Sequence, residues 1–184
     1  MPNRPAIYVD SCSLIDAVKH EIGTLPPNRQ ADGWYLKQMM TAHFAGDIIL
    51  YTSILSTAEC VGIEMGQSKV PSDIQERFRR LLTSGQYLRL LSPTPKTART
   101  AQDLRWKHEL VLGGPDAIHI ASALESECVE FISTDDRLKK EKIKGAMKAL
   151  KSAGLRMIRA AETRALPEHY LQTVMKLDGD HGKG

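Results

Sequence analysis

Short apolar runs alternating with longer amphipathic stretches predict an α/β fold, a three-layer α/β/α sandwich around a mostly parallel sheet. Three observations predict it. Apolar runs of strand length lie at 6–9, 48–51, 87–91, 129–133 and 155–158. The stretches between them carry apolar residues at helical spacing. Strands that alternate with helices form parallel sheets covered on both faces. The 184 residues suit one domain with a real core, since single domains commonly run ~100–200 residues.

The elements follow in order. The run 6–9 is a buried strand, and Ser11-Cys12-Ser13 opens a helix through Leu14, Ile15, Ala17 and Val18. Pro26-Pro27 marks a loop. Trp34, Leu36, Met39, Met40 and Phe44 recur at helical spacing, best suited to core packing, until Gly46-Asp47 stops the helix before the second strand. Ser53 or Ser56 can cap the next helix, and Ser56-Thr57-Ala58-Glu59 has capping-box spacing, in which Glu59 bonds back to a backbone N–H. Pro71-Ser72-Asp73 starts a helix carrying Ile74, Phe78, Leu81 and Leu82; the third strand follows at 87–91. After the Pro93–Pro95 turn a helix holds Ala98, Ala101 and Leu104. Gly113-Gly114-Pro115 breaks the chain, with Pro115 suited to the first turn of the next helix. A Lys-rich helix spans 138–150 between the fourth and fifth strands, capped by Gly154. The core is expected over 1–160, with 161–184 a C-terminal extension of one short helix and a flexible tail.

Composition excludes several classes. With 42% apolar and 26% charged residues the chain is an ordinary soluble globular protein. A net charge of +3 permits a polyanionic partner without demanding one. Cys12, Cys60 and Cys128 are far apart, with no CxxC or Cys/His cluster, which argues against zinc. An odd cysteine count and an N-terminus without an apolar signal core fit a cytoplasmic setting. No apolar run approaches the ~20 residues that a bilayer requires, so no membrane partner is expected.

Four acids carry the chemistry. Asp10 ends the first apolar run, Glu59 follows the second, Asp116 opens the helix after Pro115, and Asp135 follows the fourth run. Ligands of open α/β sheets bind beyond the carboxyl ends of the strands, where such residues can meet. Close carboxylates repel, and Mg²⁺ or Mn²⁺, which take hard oxygen ligands, relieves the repulsion. A metal-dependent enzyme acting on phosphate is the reading these residues favour.

Asp10-Ser11-Cys12-Ser13-Leu14-Ile15 resembles the opening motif of the PIN-domain ribonucleases, in which an aspartate ends the first strand. Asp116-Ala117-Ile118-His119-Ile120-Ala121-Ser122-Ala123 resembles that family's third acidic motif, and Phe131-Ile132-Ser133-Thr134-Asp135-Asp136-Arg137-Leu138 its last, with Ser133 in the usual threonine place. Glu59 falls where the family carries its glutamate. The resemblance covers roughly 5–160. It departs at Cys12, where Asn or Ser is common and a thiol is not expected to replace the hydrogen bonds. The resemblance implies a hydrolase: an endoribonuclease dependent on Mg²⁺ or Mn²⁺, with Asp10, Glu59, Asp116 and Asp135 as catalytic metal ligands and RNA as substrate. It commonly implies also the toxin half of a toxin–antitoxin pair, in a VapC-like branch, with an antitoxin partner and a homodimer.

Each residue has a plainer role beside the sharp one. Asp10 can cap a helix, Asp116 can stabilise a helix start by ~0.3–1 kcal/mol, and Glu59 can close the capping box. Asp136 is a solvated neighbour or outer group next to Asp135. His119, three residues after Asp116 and so on its helix face, can position water or phosphate but is better read as a packed, hydrogen-bonded core residue. Ser11 and Ser133 either orient carboxylates or cap. The three cysteines read as small core residues. The basic stretch Arg137, Lys139, Lys140, Lys142, Lys144, Lys148 and Lys151 steers phosphate or is a solvated helix face. The alternative to an enzyme is a catalytically weak or inactive RNA- or protein-binding module of the same fold. A phosphatase of the haloacid-dehalogenase type requires an aspartate where Cys12 stands, which argues against it.

Overall fold

Successive residues of the first strand point to opposite sides of the sheet, and that alternation divides the core in two. In a computed structural model describing residues 4–64, 69–108, 113–135 and 144–172, Ile7 and Val9 join Leu14, Val18, Leu36, Met39, Phe78 and Leu82 on one side. Tyr8 joins Leu104, Ile120, Ala121, Phe131, Leu150 and Leu155 on the other. Helices α1 (Ser11–Glu21), α2 (Gln30–Ala45) and α4 (Ser72–Thr83) cover the first face; α5 (Pro95–Lys107), α6 (Gly114–Glu125) and α7 (Lys144–Ser152) cover the second. This is the three-layer α/β/α sandwich.

The sheet holds β1 (Ala6–Val9), β2 (Ile49–Ser53), β3 (Arg89–Leu91), β4 (Glu130–Ile132) and β5 (Arg156–Ile158) in the order β3-β2-β1-β4-β5. Every pairing is parallel. Tyr8 lies opposite Phe131 and Val9 opposite Ile132, and Asp10 N–H extends the pairing to Ile132 O at 2.9 Å. Strand order reverses between β1 and β4, the place where open sheets part to form a crevice.

Local chemistry explains the helices. Asp10 caps α1 and Gly46, at φ 86°, ends α2 in the left-handed region that glycine tolerates. A Cβ on Gly33 would come within 2.6 Å of the His20 ring, so α1 and α2 pack closely only because residue 33 has none. Thr94 and Thr97 form a capping box at α5, with Pro95 at the first turn. Ile74, Phe78, Leu81 and Leu82 form the buried stripe of α4.

Several sequence expectations shift. The strands at 48–51, 87–91 and 129–133 are shorter or displaced. The helix after β2 is a single turn, α3 (Ser56–Glu59), whose cap position is Leu55, without a side-chain cap. Glu59 therefore does not close a capping box. Ser53 Oγ instead accepts from Leu55 N–H at 3.2 Å. Phe44 faces solvent rather than core. Of the expected helix over 138–150, α7 is described from 144; Asp136, Arg137, Lys139, Lys140 and Lys142 lie outside the described residues. The stretch past 160 begins with Ala160 and Leu166 in the core and adds a 3₁₀ turn at Glu168–Tyr170.

Buried carboxylates fasten that C-terminal stretch. Glu130, 2% exposed, accepts from Arg156 at 3.1 Å, Thr163 Oγ1 at 2.6 Å and Arg164 N–H at 2.9 Å. Asp32 accepts from Ala161 N–H at 3.1 Å and pairs with Arg159 at 3.0 Å, a contact of charge rather than an aligned hydrogen bond. Removing Glu130 leaves the Thr163 hydroxyl and the Arg164 N–H without their acceptor. Glu130→Ala is thus expected to lower the unfolding free energy by ~2 kcal/mol, read as an earlier urea midpoint at unchanged slope; an unchanged midpoint contradicts this role.

Candidate functional site

Asp10 leaves β1 with its carboxylate at the crevice. Oδ1 accepts from Ser11 N–H at 2.8 Å, and Oδ2 accepts from Ser133 Oγ at 2.9 Å and Cys12 Sγ at 3.1 Å. The capping role and a site role thus coexist. Ser133 follows β4 and also accepts from Asp135 N–H at 3.1 Å, so one hydroxyl ties the first acidic segment to the last. Cys12 lies 3.2 Å from Ser133 Oγ. The half-buried thiol faces Asp10 and donates to it, which corrects its reading as a small core residue. Burial, and after it the Asp10 charge, push its pKa up to about 12.

Glu59 ends α3 with its side chain 32% exposed. Its Oε2 accepts from the Ser11 hydroxyl and lies 2.8 Å from His119 Nε2. His119, 1% exposed, is bonded at its other nitrogen to the Tyr8 hydroxyl, 2.6 Å away. Asp116 stands three residues before His119 in the first turn of α6, on the same helix face. A Cβ on Gly113 would meet its Oδ2 at 3.6 Å. Asp116 and Asp135 are both half-buried.

Hydrogen bonds therefore join segments distant in sequence: Asp10 to Ser133 and Asp135, and Ser11 to Glu59 and on to the helix bearing Asp116. The charge environment is distinctive. The deeply buried carboxylates elsewhere pair with arginines: Asp16 with Arg29 at 3.2 Å, Asp32 with Arg159, Glu130 with Arg156. Among the described residues no lysine or arginine pairs with Asp10 or Glu59; their partners are hydroxyls, a thiol, a backbone N–H and an imidazole. Also among the described residues, no three His, Cys, Asp or Glu side chains form a ready metal cage. Mg²⁺ rarely needs one: it keeps several waters and takes one or two carboxylates beside substrate phosphate. Hard carboxylate oxygens, with no lysine or arginine on Asp10 or Glu59 among the described residues, fit such an ion in kind.

Comparison with known proteins bears on this geometry. The sequence model of the PIN domain matches residues 7–143. The chain belongs to the PIN-domain family. PIN domains are generally nucleases and typically use divalent metals. No curated protein matches this PIN domain's sequence. Among solved structures it is similar to VapBC2 from Rickettsia felis bound to a DNA fragment from its promoter. The TM-score is 0.53 at 14% identity, over 84% of this chain and 98% of the other. That likeness is one of fold. Among the described residues no helix is long and apolar enough to cross a membrane.

Sequence reasoning missed the residues behind the acids. Tyr8, Thr52 and Ser56 are buried polar residues that support the site. A tyrosine inside an apolar strand was the available signal, because a buried hydroxyl requires a partner. The capping-box spacing hid Ser56. Burial, first of all causes, also raises the Cys60 and Cys128 pKa values to about 12. Thiolate is the reactive form, so all three cysteines of the folded PIN domain should resist alkylation near neutral pH. Labelling should rise sharply on unfolding or as pH climbs; fast labelling of the native protein at neutral pH contradicts these shifts.

Proposed function

We propose that this PIN domain is a metal-dependent endoribonuclease that hydrolyses RNA phosphodiester bonds, serving as the toxin of a toxin–antitoxin pair. One observation supports the reading: among the described residues no lysine or arginine pairs with Asp10 or Glu59 at the sheet's reversal point, unlike the arginine-paired carboxylates elsewhere. Asp10, Asp116 and Asp135, with Glu59, would hold Mg²⁺ or Mn²⁺. Bound there, the ion supplies a water of lowered pKa and positive charge at the scissile phosphate.

The chain's own residues do the rest. Ser133 sets the Asp10 carboxylate and the Asp135 backbone in register. Ser11 and His119 hold Glu59 by one oxygen. The N-terminal turn of α6 favours the Asp116 carboxylate through its dipole. Exposed Lys148 and Lys151, three apart on α7, suit the approach of a polyanion. Single-stranded or loop RNA is the fitting substrate, since its backbone can be splayed into a cleft. The VapBC2 likeness supports an antitoxin partner; a homodimer follows from the family resemblance alone.

Water as nucleophile leaves 5′-phosphate and 3′-hydroxyl ends. Asp10→Asn and Asp116→Asn are expected to abolish cleavage with the circular dichroism unchanged. Either variant cutting at the parental rate, or products ending in 2′,3′-cyclic phosphate, overturns the proposal. Ser133→Ala should lower the rate roughly 10–100-fold, the usual effect of losing an outer partner of a metal ligand. Ser133→Thr, which restores the hydroxyl, should recover most of it. Purified protein that never cleaves RNA with Mg²⁺ or Mn²⁺ favours a binding module of the same fold.

A further inference from the structure

Tyr8 lies on the sheet face away from α1, fully buried, its ring stacked on Phe131 with centroids 5.2 Å apart and edge-on to His119 at 5.8 Å. It cannot touch a substrate. Its hydroxyl nevertheless ends a directed chain. A neutral imidazole has one donor and one acceptor nitrogen, and a carboxylate oxygen only accepts. In a neutral His119, Nε2, 2.8 Å from Glu59 Oε2, is then the donor, and Nδ1 accepts from Tyr8 O–H at 2.6 Å.

A second group reaches the same oxygen: the Ser11 hydroxyl donates to Glu59, and its Oγ lies 3.0 Å from Ser56 Oγ, itself 2.7 Å from Thr52 Oγ1. An imidazole and a hydroxyl thus converge on Oε2. Among the described residues Oε1 has no hydrogen-bond partner.

We propose that Tyr8 is a positioning residue for Glu59: by occupying His119 Nδ1 it fixes the ring's tautomer, anchors Oε2 and leaves Oε1 to the cation. The cation half of this statement rests on the nuclease reading; the tautomer half does not. Without the Tyr8 hydroxyl, the Nδ1–H form becomes accessible. It turns a nitrogen lone pair toward the carboxylate, and Glu59 loses its anchor.

Two measurements on the full chain test this. Long-range ¹H–¹⁵N spectra of metal-free protein should show His119 as the Nε2–H tautomer in the parent, with the Nδ1–H form appearing in Tyr8→Phe. A titration following free Mn²⁺ by electron paramagnetic resonance should show binding weakened roughly 10–100-fold in Tyr8→Phe. In His119→Gln, whose amide N–H can serve Glu59 unaided, adding Tyr8→Phe should change Mn²⁺ binding little. A merely structural tyrosine would weaken binding equally in both backgrounds, and that result, like an Nδ1–H tautomer in the parent or no effect of Tyr8→Phe, overturns the proposal. Parent protein that takes up no Mn²⁺ overturns the nuclease reading, and the tautomer spectra then decide the Tyr8 relay alone.

Discussion

The hydrogen bond from Asp10 N–H to Ile132 O carries the parallel pairing of β1 and β4 one residue beyond the end of β1. Everything at the site depends on that register. A slip of one residue would turn each side chain to the opposite face, sending Tyr8 into the α1–α2 layer and Val9 against Phe131. In the register found, Tyr8 stacks on Phe131 and Val9 lies opposite Ile132. Asp10 and Ser133 then emerge side by side where the strand order reverses. Packing thus fixes the position of a charge that itself adds nothing to the core.

The molecule treats its carboxylates in two ways. Asp16, Asp32 and Glu130 are almost fully buried, and each has an arginine. They fasten segments: Glu130 and Asp32 both hold the chain after β5, and Asp16 holds the turn before α2. Among the described residues, Asp10 and Glu59 are held instead by hydroxyls, a thiol, a backbone N–H and an imidazole rather than by lysine or arginine. Neutral hydrogen bonds can orient a carboxylate closely, yet leave its field available to a ligand. A difference in partners, rather than in burial alone, separates the structural acids from those of the site.

Much of this was legible in the sequence. Apolar runs gave the strands to within a residue or two, and Gly46, Pro95 and Pro115 punctuate the helices as turn chemistry requires. The order of the four acidic motifs pointed to one edge of the sheet. Less was legible where one local rule mimics another. Ser56 and Glu59 have the spacing of a capping box, but tertiary partners claim both side chains: Ser11 and His119 take Glu59, and Thr52 takes Ser56. Spacing cannot reveal such competition, because the partners of Glu59 are 48 and 60 residues away. Glu130 was likewise read as part of an apolar strand, since its partners come from β5 and from the chain after it. Cys12 looked like a core thiol and is a neighbour of Asp10, a matter of which way one helical residue faces.

The central claim is that the carboxyl edge between β1 and β4 is a divalent-cation site. Crystals grown with Mn²⁺ and measured at a wavelength where manganese scatters anomalously address it most directly. The account predicts an anomalous peak within coordination distance of Asp10 and at least one of Glu59, Asp116 and Asp135. A structure with Mn²⁺ bound only elsewhere, the Asp10 and Glu59 carboxylates still satisfied by their hydroxyl and imidazole partners alone, would contradict it.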